Sequence, residues 1–274
     1  MTTEMVVVKR GCSLMGASEE EALFQIANYE GYDIERYKPE MPQHLIYLDT
    51  FAISVFPVTN TEYSVAIKAG VVPSPPMWSH KKWSKPDAPV VGVSWFDASR
   101  YCEWKGFSLP SEAQWEKAAG WNPLLGKKYV YPWGDEWDTN KCLNAESILK
   151  LPIMGKNDWK NKFWDSGIAL KHGQTEAVGL RNGDNSYYGA RMMSGHVWEW
   201  VEDNYENNIY SKKQKSSYSN IIIKNQYSDF RVLKGGSWVD DRNSCRVSYR
   251  TFSRESAWRY GVTDVGFRCV KNDI

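Results

Sequence analysis

The chain has 274 residues, with 34 basic against 33 acidic side chains and a formal net charge of +1. This balance gives no basic field for nucleic acid and no polybasic membrane patch, and no apolar run approaches the roughly 18 residues of a membrane span. Fourteen Trp and sixteen Tyr, together with 20 Gly and 12 Pro, favour a loop-rich fold packed by large aromatics.

The opening "VVVKRGCSLMG" reads as strand, turn and strand. Its apolar run is short and follows no basic segment, which makes a poor signal peptide, so the expected address is the cytoplasm. "SEEEALFQIANYEGYDIERYKPEMPQ" is polar with little periodicity and reads as an excursion. "HLIYLDTFAISVF" alternates as a strand pair. Three capped helices follow. Thr59 and Glu62 form a capping box; Ser94 or Asp97 opens a helix that Gly106 ends; Ser111 and Gln114 cap a helix that runs to Gly120. Residues 121–190 are rich in Gly, Asn, Asp, Lys and Trp with weak periodicity. So long an irregular stretch needs something to pin it, such as bound ions. Strands return in "GHVWEWVEDNY", "DFRVLKGGSW" and "VGFRCV". No repeat or composition break divides the chain, so residues 1–274 are read as one domain.

Five cysteines, an odd number without a CxxC pair, exclude a zinc ribbon or thioredoxin motif and are expected to be mostly buried thiols. The four histidines are scattered, and no HExxH, Walker loop or GxSxG occurs. One stretch poses a sharper question. In "SGHVWEW", strand alternation sends Val197 and Glu199 to one face and Trp198 and Trp200 to the other. A glutamate among aromatics needs a metal, an arginine such as Arg268, or water.

"GVSWFDASRYCEW", "LPSEAQWEKAA", "YPWGDEW", "GHVWEWVEDNY", "KGGSW" and "VGFRCV" occur in order, and with "FPVTNTEY" they resemble the formylglycine-generating enzyme family, also called sulfatase-modifying factor domains. The resemblance covers roughly residues 5 to 271. It implies an α+β fold of the C-type lectin type, low in regular structure, with a small antiparallel sheet and a few helices. Activity does not follow from membership, because the family holds copper-dependent oxidases, domains of sulfoxide synthases, and binding proteins that include retroelement variable proteins. The synthases' three-histidine iron module has no room in this chain.

The resemblance also implies site residues. The oxidases hold Cu(I) between two cysteines, two and seven residues after the aromatic of the GGS-aromatic turn. Here those positions are Asp240 and Cys245. A carboxylate with a lone thiolate is a poor Cu(I) site, which argues against copper. Ser237 and Trp200 match positions lining the family's catalytic groove. Structural calcium in the family implies Gly195, Val197 and Glu199 at one place, with His196 where asparagine is usual, and Asn144, Ala145, Asp165 and Gly167 at another.

Two functions remain open. A binding module would present residues 238–264 as a recognition face, with Trp238, Asp240, Asp241, Asn243, Tyr249, Phe252, Trp258 and Tyr260 contacting a protein, peptide or small molecule. An oxidoreductase would use Cys245 on a thiol substrate. The binding reading is preferred, with the chain expected to be a monomer.

Overall fold

The computed structural model describes residues 3–213, 222–225, 228–256 and 263–274. Its elements run β1 (Met5–Val8), β2 (Gly11–Met15), α1 (Glu19–Asn28), α2 (Ile34–Tyr37), a 3-10 turn (Lys38–Glu40), β3 (His44–Leu48), β4 (Phe51–Ser54), α3 (Asn60–Lys68), α4 (Trp95–Trp104) and α5 (Glu112–Gly120). The chain continues through β5 (Trp121–Asn122), β6 (Lys127–Lys128), α6 (Ala145–Leu149), α7 (Lys156–Asp158) with a π-helical turn (Trp159–Trp164), and α8 (Ile168–His172). It closes with β7 (Trp198–Asn204), α9 (Ile209–Lys213), β8 (Phe230–Lys234), β9 (Arg250–Arg254), β10 (Val265–Phe267) and β11 (Val270–Lys271).

The largest sheet has the order β10-β7-β8-β9, and β10 lies parallel to β7. A second sheet is β1-β4-β11. The predicted strands are therefore present, but their partners differ. β1 pairs with β4 and β2 with β3, so neither local strand pair closes on itself.

The three predicted helices form as their caps dictate. Thr59 and Ser111 each make the reciprocal capping box, and Ser94 Oγ accepts from the Asp97 amide. They are not alone, however. The polar excursion contains α1, capped by Ser18, and α2, capped by Asp33.

The irregular middle is pinned by apolar packing. Leu143, Ile153, Phe163 and Ala169 join Trp83, Val91, Val197 and Trp238 in one buried cluster. Full burial of a side chain the size of Phe163 stabilises by about 1.5–3 kcal/mol. Burial of this kind anchors short helices that have little stability alone.

Candidate functional site

Glu199 answers to arginine. Arg268 grips it with two parallel hydrogen bonds, Nε to Oε2 at 2.6 Å and Nη2 to Oε1 at 2.8 Å. Trp115 Nε1 donates to Oε2 at 2.7 Å, and both charged side chains are buried. The remaining Arg268 donors meet the carbonyls of Ser54, Val55 and Arg191. The alternation expected for "VWEW" agrees with the packing: Trp198 and Trp200 enter one buried cluster and Val197 another, and all four residues are buried because the sheet is covered on both faces.

The other residues implied for calcium have definite partners. Asn144 is fully buried and spends its side-chain oxygen on the Ser147 amide as the cap of α6. Asp165 is half exposed and faces Lys160 at 3.9 Å. Ala145 N donates to Asp240 O, and Gly167 is the left-handed residue that opens α8. His196 adopts φ +62°. Burial, followed by Arg181, Arg268 and Arg191, pushes its imidazole well below the ordinary range. At Glu199 both carboxylate oxygens are thus bonded to protein donors, Arg268 and Trp115. Among the described residues no three His, Cys, Asp or Glu side chains converge on a metal position.

The "SGHVWEW" and "GGSW" motifs lie side by side. Gly195 N donates to Gly235 O at 2.8 Å, and Trp238 N donates to His196 O at 3.0 Å. Gly236 has φ +74°, and a Cβ there would approach Cys245 Sγ and the Ser244 carbonyl to 2.9 Å. Only glycine permits so close an approach at this angle. Cys245 is therefore enclosed, with no solvent exposure. Burial, followed by a hydrogen bond shared with Cys142, pushes its thiol well above the ordinary range. Cys142 is a neighbour that sequence spacing could not reveal.

Two of the remaining groove residues separate. Trp200 is core: its indole donates to Val93 O at 3.0 Å, and it packs with Tyr101 and Phe267. Ser237 belongs to a carboxyl cluster. Its amide and hydroxyl both donate to Asp240 Oδ2, at 3.0 and 2.6 Å, and the hydroxyl lies 3.4 Å from Asp264 Oδ2. Burial pushes the Asp240 carboxyl up to about 7; Ser237 opposes the shift, while Asp264 and Asp241 add to it. Burial likewise raises Asp264 to about 6 against the pull of Ser237.

The segment expected to be an open face is largely covered. Trp238 is buried against Trp83, with ring centroids 5.4 Å apart, and Asp241, Asn243, Arg246 and Arg250 are buried too. Phe252 is exposed, packed on Tyr205 and Phe230. Trp258 and Tyr260 lie outside the described residues.

The cover is the excursion. Tyr32 hydroxyl donates to Asp241 Oδ2 at 2.7 Å, Asn243 donates to the Tyr37 hydroxyl at 2.6 Å, and Arg246 binds Glu40 through two bonds of 2.8 Å. Arg36 stacks on Tyr32 and Tyr249, 4.2 and 5.0 Å from the ring centroids, and reaches Ser244 Oγ. A cavity of about 220 Å³ remains between cover and segment, walled by Asp240, Asp241, Ser244, Tyr249, Tyr32, Arg36, Lys156 and Trp159. Of its walls, sequence analysis named Asp240, Asp241 and Tyr249 and missed Ser244, together with Tyr32, Arg36, Lys156 and Trp159, whose setting carries no motif.

A small twisted sheet, short helices and long pinned loops, with the glycine turn docked beside the "WEW" strand, define a C-type-lectin-like fold. Residues 1–273 match the sulfatase-modifying factor enzyme 1-like domain, and the chain belongs to that family. It is 29% identical over 248 residues to a hercynine oxygenase of Mycolicibacterium thermoresistibile, covering 78% of this chain and 49%, about half, of that protein. It is 26% identical over 279 residues to the inactive C-alpha-formylglycine-generating enzyme 2 of Mus musculus, covering 85% of this chain and 79% of that one. The structure of PvdO from Pseudomonas aeruginosa superposes with a TM-score of 0.68 at 20% identity, covering 97% of this chain and 93% of the other. Treponema denticola variable protein 1 does so with a TM-score of 0.64 at 17% identity, covering 98% and 95%. At these identities the two structures share the fold.

Proposed function

We propose that the chain is a non-catalytic, ligand-binding member of the family, and that its ligand places a positively charged group against Asp240. The carrying observation is the Asp240 carboxyl, held by Ser237 at the wall of the cavity and raised to about 7 by burial and by two neighbouring acids. A cation brought to this wall relieves the cost of ionising a desolvated carboxyl, and the Trp159 ring at the same wall offers it an aromatic surface. The relative described as inactive is consistent with a family scaffold used without oxidation chemistry. Retroelement-type diversification of residues 238–264 is narrowed by burial, because variation at Asn243, Arg246 or Arg250 would strike the interior.

The test is pH-dependent. Asp240 holds its proton more tightly in the folded chain than its ordinary carboxylate value allows, so folding stability falls as pH rises from about 4 to about 7 and then levels. Asp264 contributes in the same direction up to about 6. Asp240→Asn is expected to flatten part of this slope and to raise stability at pH 8 by about 1–3 kcal/mol. Calorimetric titration with arginine and lysine amides should show affinity rising through pH 7 in the parent and no rise in Asp240→Asn. Affinity independent of both pH and Asp240 would remove the reading.

The oxidoreductase alternative rests on Cys245, and one observation favours it: Cys142 supplies a second thiol where sequence spacing offered only Asp240. It requires copper-dependent oxygen consumption with a thiol peptide, lost in both Cys245→Ser and Cys142→Ser.

A further inference from the structure

A second cavity, of about 690 Å³, shares no residue with the first and is lined by Lys9, Arg10, Lys117, Cys12, Tyr187 and Tyr188, among others. No acidic residue lines it. The turn between β1 and β2 supplies Lys9 and Arg10, and α5 supplies Lys117. Lys117 is only 2% exposed. Its ammonium donates to the carbonyls of Lys9 and Gly11, each at 2.9 Å, and among the described residues its third N–H donor meets no acceptor. Buried charges are ordinarily paired, yet the cavity beside this ammonium brings it no carboxylate. Burial pushes Lys117 down to about 8, the direction expected of a cation lacking a counterion. Cys12 is exposed, and the other four cysteines are buried.

We propose that this cavity binds a small anion over Lys117, Lys9 and Arg10, and that Cys12 at its edge is a thiol reactive toward low-molecular-weight anionic disulfides. The Cys12 thiol gives its proton to solvent, and the thiolate attacks one sulfur of the bound disulfide. The reagent's S–S bond breaks, a Cys12–S–S–R bond forms, and the second half leaves as its thiolate with the bonding pair. No further oxidant is needed.

The probe is dithionitrobenzoate, a dianionic disulfide, compared with neutral dithiodipyridine on the folded chain. The rate ratio of the two reagents is expected to exceed that of free N-acetylcysteine by about ten-fold or more, in the range of electrostatic focusing. Inorganic sulfate should slow the anionic reagent and leave the neutral one unchanged. Arg10→Gln, at an exposed turn, should lower the ratio without disturbing folding, and Lys117→Gln should lower it further. Cys12→Ser should abolish the rapid reaction with both reagents. A ratio equal to that of the free thiol, or one retained in both cation variants, overturns the proposal.

Discussion

Glu199→Ala is expected to remove about 3–5 kcal/mol of folding free energy, because it leaves Arg268 charged, buried and without its carboxylate. A domain of ordinary stability has about 5–15 kcal/mol in total, so the variant should unfold well below the parent in urea and express weakly at 37 °C. Trp115 Nε1 loses its acceptor as well, a further cost of about 1–3 kcal/mol for a buried donor left unpaired. The loss should be the same in calcium and in chelator. A loss that shrinks on chelation would instead assign Glu199 to an ion. Glu199→Gln separates charge from shape: it keeps an oxygen for Trp115 and still strands the guanidinium, so its cost should lie below that of the alanine variant.

What sequence made legible was local. A capping box is completed within four residues, and Thr59 and Ser111 made theirs as read. The ordered motifs likewise implied the fold. The excursion was misread because its partners are remote. Glu40 meets Arg246 across 206 positions, and Tyr32 meets Asp241 across 209. Its polarity and weak periodicity read as an excursion, whereas Glu40 is only 1% exposed. The same ambiguity affected residues 238–250. Arginines interleaved with aromatics describe an exposed recognition face and a buried ion-pair layer equally well, and only the cover decides between them. Trp238 and Trp200 show the corresponding limit for aromatics: a motif fixes their place in the chain, while their neighbours, Trp83 and the Val93 carbonyl, come from elsewhere. The cavity formed where cover and segment meet, so half of its wall had no sequence signal.

The second large effect concerns how the cover is held. Arg246 has no solvent exposure, and it is bound by Glu40 through two 2.8 Å bonds, by Asn243 Oδ1, and by Ser248 Oγ at 3.0 Å. Glu21 of α1 lies 3.6 Å away. Burial alone would raise the Glu40 carboxyl, yet it sits below its ordinary value because Arg246 outweighs that effect. Glu40→Ala is therefore expected to cost about 3–5 kcal/mol, since the guanidinium loses its bidentate partner and keeps only neutral partners and the longer ion pair to Glu21. The double variant Glu40→Met with Arg246→Met should be more stable than Glu40→Ala, because it removes the stranded charge together with its partner. Asn243 and Ser248 would still lose hydrogen bonds worth about 1 kcal/mol each, so full recovery is not expected. Amide hydrogen exchange should locate the damage. In Glu40→Ala, residues 19–40 should exchange before the strands β7 and β8, because this segment is tied to the loop between β8 and β9 through the ion pair and the Tyr32 and Tyr37 bonds. If the cover separates first, cation binding at Asp240 should weaken with it, since Tyr32 and Arg36 form the outer wall of the cavity. A Glu40→Ala variant within 0.5 kcal/mol of the parent, with unchanged exchange in residues 19–40, would show that the cover is held by something other than this pair.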